Sequence, residues 1–180
     1  KTLARGMGMS YGDAALNNDG NLVETISLSG SQEIHLDRTN GILWCSSGTS
    51  QSEILRKIGP DGWILPAIPG SANITIGGSI AADGHGKNHY RSGSISRHLV
   101  DMQIMLATGE VVEASREVMP DLFWATIGGL GLTGIILSAR LKLKPIGSVY
   151  ARYKMIGFKD VDGLIDLMET QKLKHEYMLG

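Results

Sequence analysis

Glycine falls in this chain in three dense clusters, and their placement limits the fold more than any other property of the sequence. The clusters are "ARGMGMSYGD" (Ala4 to Asp13), "PGSANITIGGSIAADGHG" (Pro69 to Gly86) and "IGGLGLTGI" (Ile127 to Ile135). Glycine weakens helix interiors, admits positive φ and lets backbone approach a neighbour closely. A chain punctuated this way is built from short elements joined by tight loops, and those loops can approach a ligand through their amides.

Between the clusters the pattern is that of short strands with few helices. "NLVETISL" (Asn21 to Leu28) and "ILWCSS" (Ile42 to Ser47) predict strands, and the Asn-Gly pair of "DRTNG" joins the second to "EIHL" as a hairpin. Ser50 followed by Glu53 is a capping-box pattern, and Ile54, Leu55 and Ile58 keep helical spacing until Gly59-Pro60. "LVDMQIMLATGEVVEAS" alternates on both sides of Thr108-Gly109-Glu110, as two antiparallel strands do. Pro120 opens a helix carrying Leu122, Phe123 and Trp124 that ends at Gly128-Gly129. "TGIILSARLKLKP" predicts a strand stopped by Pro145, "SVYARYKMIGF" another strand, and "VDGLIDLMETQKL" an amphipathic helix.

Composition narrows the function. The 180 residues carry a formal net charge of −1 with no basic run, which argues against nucleic acid as a partner. Cys45 is the only cysteine, so an internal disulfide and a multi-cysteine zinc site are excluded. The most apolar run, Ile127 to Ala139, is broken by glycines and falls short of the about 20 residues a membrane span needs. The chain begins at "KTLARG" without an initiator Met and stops inside the strand-like "KHEYMLG", so it is expected to be a fragment of a longer protein.

Successive N–H groups pointing into one concavity make an anion site without a charged side chain. The clusters do not follow the Rossmann fingerprint, since "RGMGMSYGD" leads into a polar loop and not a helix. The Gly-Lys-Ser/Thr phosphate loop is also missing. A nicotinamide-only dehydrogenase and a nucleoside triphosphatase are both disfavoured.

In their order along the chain, "RGMGMSYGD", "PGSANITIGGSIAADGHGKNHY" and "DLFWATIGGLGLTGII" resemble the FAD-binding domain of the vanillyl-alcohol oxidase and para-cresol methylhydroxylase (PCMH-type) superfamily. The likeness runs from about Leu3 to Pro145, and "GKNHY" favours the branch that oxidises polyprenyl-phosphate ribose. The resemblance implies an α+β fold of two small FAD-binding lobes, residues 1–48 and 49–147. The truncated start of a substrate domain would follow at 148–180. It also implies oxidation of a secondary hydroxyl of a sugar-type substrate by hydride transfer to flavin N5. Alternatives are an aldonolactone or alditol oxidase of the same superfamily, and a non-catalytic FAD-binding scaffold. The implied partners are a small-molecule or polyprenyl-phosphate sugar and a reductase completing an epimerisation. The implied setting is cytoplasmic, beside a membrane without spanning it.

Carried over residue by residue, the resemblance implies that the backbone of Arg5, Gly6, Met7, Gly8, Met9, Ser10 and Tyr11 cradles the FAD pyrophosphate. Pro69, Gly70, Ser71, Thr75, Gly77 and Gly78 would continue the cradle, with Ala81 beside it. His85 and Gly86 would lie along the isoalloxazine, Asn88 and Gly93 would close the site, and Gly134 with Ile135 would meet the adenosine end. Tyr11, His85 and Lys87 are the catalytic candidates, tuning or positioning on the substrate side, while the base is expected from the family's carboxy-terminal part. Relatives with covalent flavin commonly carry a histidine at the position of Met9, and a thioether cannot replace it. FAD is therefore expected to be non-covalent, with His85 the only alternative attachment point.

Other residues have plainer readings. His85 and His89 stand at i, i+4, yet Gly84 and Gly86 argue against a helix and no third ligand is near, so no metal site is expected. Phe123 and Trp124 are expected as core anchors. Cys45, inside an apolar strand, is expected to be buried and inert. His35, His98 and His175 have no local context that singles them out.

Overall fold

Asp37 organises the first hairpin. A computed structural model describes residues 1–28 and 34–180, and the Glu33 that opens "EIHL" lies outside the described residues. Strands β3 (Ile34–Asp37) and β4 (Ile42–Ser46) pair antiparallel across the Asn-Gly turn. There Asp37 Oδ1 accepts from the amides of Thr39 and Asn40 at 2.9 and 3.1 Å, and Asn40 Nδ2 donates to Oδ2 at 2.7 Å. The Asn40 side chain and these amides hold the Asp37 carboxyl below its ordinary range.

β4 continues into a five-stranded antiparallel sheet of order β3-β4-β8-β6-β7, with β6 at Leu99–Met105, β7 at Val111–Ser115 and β8 at Ile135–Lys142. The β6–β7 hairpin turns at Gly109 as expected. The expected lobe division at residue 48 runs through this sheet, because β3 and β4 lie on one side of it in sequence and β8 on the other.

Leu43, Cys45, Met102, Ala114, Ala139 and Leu141 line one face of the sheet and are buried. The helices join this core through Ile54 and Ile58 of α1 (Gln51–Ile58), Ile76 and Ile80 of α2 (Ile76–Ala81) and Phe123 of α4 (Pro120–Thr126). Period-two alternation explains the division of the sheet. On its other face His35, Trp44, Arg140 and Asp101 form a row across four strands, closed by a bidentate Arg140–Asp101 pair with Nε donating at 2.8 Å. Between α2 and β6 lies the four-residue helix α3 (His89–Ser92).

A smaller unit carries the first glycine cluster. β1 (Thr2–Arg5) pairs parallel with β2 (Asn21–Glu24), and a 3-10 helix follows at Thr25–Leu28. The strand expected over Asn21–Leu28 therefore stops at Glu24, where its partner β1 ends and Thr25 turns inward to donate its hydroxyl to the Arg5 carbonyl. This unit sits hard against the sheet. A Cβ on Gly48 would lie 1.9 Å from the Thr25 carbonyl oxygen, so only glycine permits the approach.

Two further expectations change at the carboxy-terminal side. The run "TGIILSARLKLKP" divides into β8 and the short β9 (Lys144–Pro145), which pairs with β5 (Trp63–Ile64). The strand expected over "SVYARYKMIGF" does not form. Among the described residues no strand pairs with it, and Tyr150 and Tyr153 are each 88% exposed. A strand exists only through its partner's hydrogen bonds, so alternation alone cannot make one. Helix α5 (Val161–Gln171) follows, with Asp160 as its N-cap. Phe123 is a core anchor, but Trp124 is half-exposed and packs edge-on to Phe123 beneath the Arg116 guanidinium, which stands 4.8 Å from its ring.

Candidate functional site

The loop after β1 carries a run of free backbone donors. Among the described residues, the amides of Met7 through Gly12 donate no hydrogen bond within the chain. Gly8 takes φ +64°, and the Arg5 side chain folds back so closely that a Cβ on Gly8 would meet its Nη2 at 2.7 Å. Arg5, Met7, Gly8, Met9 and Ser10 thus form a turn of donors beside a guanidinium. Such an arrangement suits a diphosphate.

The second wall comes from residues 69–75. Here the carbonyls of Ala72 and Ile74 are tied down, accepting from Ser52 and Gln51 at 2.8 and 2.9 Å, whereas the amides of Gly70, Ser71 and Ala72 have no intrachain acceptor. The two walls meet at one point: a Cβ on Gly6 would lie 2.3 Å from Thr75 Oγ1. Thr75 is the N-cap of α2, its hydroxyl accepting from the Gly78 amide at 3.1 Å.

The first amides of α2 are already used. Ile76 donates to Thr49 O, Gly77 to Ser47 O at 2.8 Å, and Gly78 to its cap. In this geometry Gly77 serves helix packing, since a Cβ there would meet Ser47 Cβ at 2.9 Å. The amides left free just after Pro69 are those of Gly70, Ser71 and Ala72.

The third cluster closes on the second and on β1. Gly128 donates to Ile80 O at 3.0 Å and Leu130 to Ala81 O at 2.9 Å, while a Cβ on Gly131 would touch Leu3 of β1. Gly134 leads into β8 against β6, where a Cβ would stand 2.7 Å from Met105 O; Ile135 is the first residue of β8.

The histidine-rich end of the second cluster is pinned from inside by Asn88. That side chain is fully buried, and its Nδ2 donates to Pro66 O and to Ser92 Oγ, both at 2.9 Å. Gly86 packs directly on Ile68, and His85 bridges to Ser94 with its ring 5.1 Å from that of His89. Gly93, at φ +71°, ends α3 by donating to His89 O. The two histidines lie together without a helix between them, and no cluster of metal-binding side chains occurs among the described residues. Lys87 is exposed, and so is the side chain of Tyr11, at 98%, on the loop that forms the first wall.

A polar seam that sequence reasoning passed over lies next to the cradle. Ser47 Oγ, Thr49 Oγ1, Gln51 Oε1 and Asn88 Oδ1 are buried without partners, and Gln51 Nε2 donates to Ser79 Oγ at 3.1 Å under α2. A cavity of about 670 Å³ opens beside it, lined by Met7, Glu24, Ser27, Ser50, Arg56 and Asn73. The signal was present as "SSGTSQ", a run of small polar residues directly after an apolar strand. In the same segment the Ser50 hydroxyl and amide hold the Glu53 carboxyl below its ordinary range. Burial pushes the Cys45 thiol up to about 12 and depresses His98, whose Nε2 stands 2.8 Å from Ser92 O.

Free amides, an adjoining guanidinium, a glycine-only contact and orphaned buried hydroxyls together fit a dinucleotide held through its diphosphate. Comparison with known proteins agrees: the model of the FAD binding domain family matches residues 1–115. A decaprenylphosphoryl-beta-D-ribose oxidase from Mycolicibacterium smegmatis is 38% identical over 170 residues, 91% of this chain and 35% of the relative. Cytokinin dehydrogenase 2 of Arabidopsis thaliana is 27% identical over 78% of this chain and 27% of its own. D-arabinono-1,4-lactone oxidase of Eremothecium gossypii is 26% identical over 81% of this chain and 29% of its own. The chain spans about a third of the length of these relatives.

Proposed function

The chain belongs to the FAD binding domain family, within the PCMH-type flavoprotein superfamily its motifs resemble, and from that premise we propose that it is the cofactor-binding part of an oxidoreductase that oxidises a secondary hydroxyl of polyprenyl-phosphate ribose at C2′. The observation that carries this reading is the convergence of the three glycine clusters, at Gly6–Thr75 and at Gly128 and Leu130 on the end of α2. The substrate rests on the 38% identity to the mycobacterial ribose oxidase.

When bound, FAD supplies the two-electron acceptor for the carbinol C–H. The chain's own residues bind and orient. Arg5 and the amides of Met7 to Tyr11, with those of Gly70 to Ala72, neutralise the diphosphate through N–H dipoles and one guanidinium. His85 and Gly86 would hold the ring system, with their loop fixed by Asn88, and Lys87 would serve the substrate side. The acid–base group comes from elsewhere in the whole protein. Met9 offers no nucleophilic nitrogen, so attachment would be non-covalent, with His85 the alternative attachment point. A reductase partner would complete an epimerisation, and a polyprenyl substrate would bring the enzyme to a membrane surface. Among the described residues no helix is long and apolar enough to cross one.

The aldonolactone oxidase relative favours a second reading, a lactone or alditol substrate on the same scaffold. Titration with FAD followed by visible absorption tests the cofactor site. Anaerobic bleaching of the flavin in the whole protein by a polyprenyl-phosphate ribose, and not by an arabinono-lactone, is the result expected. Bleaching by the lactone alone would overturn the substrate, and a chain that ignores FAD would overturn the site.

A further inference from the structure

The loop carrying Lys87 is held from outside as well as from inside. Beyond α5 the backbone returns at His175–Met178 to the segment just after the second glycine cluster. The Tyr90 hydroxyl donates to the His175 carbonyl, Arg91 Nη1 approaches the same oxygen at 3.5 Å, and the Met178 amide donates to Lys87 O at 3.1 Å. The returning segment has its own anchor: Glu176 pairs with Lys144 of β9, whose ammonium stands 6.0 Å over the Tyr177 ring. Lys87 thus has its carbonyl fixed by Met178 and its successor Asn88 fixed by Pro66 and Ser92, while its own side chain is left exposed.

A lysine ammonium rides on a flexible four-carbon stem, so it can orient a substrate only if its backbone is fixed. We propose that His175–Met178 is a strap that sets the position of Lys87 at the substrate edge of the cofactor site, with Tyr90 and Lys144 as the positioning residues that hold the strap down. The inference rests on the reading of Lys87 as a substrate-side residue. It assigns no chemistry to Tyr90 or Lys144, which act through the strap.

Trypsin reads Lys87 directly, because cleavage at Lys87–Asn88 requires this loop to open, and in the fast-opening regime the rate follows the open population. Tyr90→Phe removes the donor to His175 and Lys144→Met removes the partner of Glu176. Each should raise cleavage at Lys87 by about fivefold, the equivalent of one net hydrogen bond, while cleavage at Lys57 in the last turn of α1 stays unchanged. Lys144→Arg, which keeps the cation, should restore protection, and hydrogen exchange at the Met178 amide should track the cleavage rates. Unchanged cleavage at Lys87 in both variants overturns the strap. An equal rise at Lys57 and Lys87 also overturns it, since the variants would then act on the whole fold. An FAD titration monitored by flavin fluorescence runs alongside: failure to bind FAD with strap protection intact would sink the cofactor reading alone.

Discussion

Replacing Gly6 with Ala should separate the two walls of the cradle. The added Cβ would stand 2.3 Å from Thr75 Oγ1 and 3.0 Å from Thr75 Cγ2, whereas ordinary contact begins at 3.4 Å, so the groups must part by about 1 Å. Either the loop of Gly6 to Tyr11 lifts away, or Thr75 rotates and stops capping α2. Overpacking of this kind costs about 1–3 kcal/mol, and a lost threonine cap about 1 kcal/mol. If the loop lifts, binding must rebuild the close approach against that strain, and a cost of about 2 kcal/mol weakens the FAD dissociation constant by about 30-fold. If the loop stays, the same energy appears as a melting temperature lower by about 4–8 °C. Fluorescence titration with FAD and a thermal melt read the two routes. Thr75→Ala removes the two nearest atoms and leaves only Cβ at 3.3 Å, so Gly6→Ala added to Thr75→Ala should weaken binding by less than about threefold further. Strict additivity of the two substitutions would refute the contact as the cause.

Further outcomes test other parts of the description. Acid precipitation of the FAD-loaded chain should leave the yellow colour in the supernatant; colour in the pellet would contradict the role given to Met9. Ser50→Ala should lower the melting temperature by about 2–4 °C at neutral pH through loss of the capping box. Because Glu53 has its pKa lowered on folding, its contribution is present above the ordinary carboxylate pKa and is lost as pH falls through the folded value. The difference between the parent and Ser50→Ala should therefore shrink on acidification, and a gap constant with pH would refute the linkage. Cys45, with its thiol raised to about 12 by burial, should resist a thiol-specific disulfide reagent in the native state and react stoichiometrically only in denaturant.

Several features were decided within a few residues of chain. The capping box of Ser50 and Glu53, the Asn40-Gly41 turn, Pro120 at the head of α4 and the turn at Gly109 all rest on contacts between near neighbours. Their residue types carry the geometry, so reading them needed no partner. The glycine clusters and the motifs around them were equally legible, and they led to the FAD-binding family.

What the clusters touch depends on residues far apart in sequence. Gly6 was expected as one cradle residue among seven, and the fold makes it the point where the first wall meets Thr75. Gly77 and Gly78 looked like cradle donors, yet Ser47 O and Thr75 Oγ1 take their amides. The polar seam of Ser47, Thr49 and Gln51 gained meaning only when α2 covered it. The same reasoning explains the strands that failed. Residues 25–28 and 148–158 carry acceptable alternation, but β1 ends beside the first, and no described strand lies beside the second.

Caps, turns, the loops able to offer amides and the family motifs were readable along the chain, because propensity, capping and turn chemistry act over one to four residues. Which amides stay free, which glycine carries a close contact and which alternating run becomes a strand were settled by the folded arrangement. Those outcomes depend on what packs against each group, and that is set by pairing between distant parts of the chain.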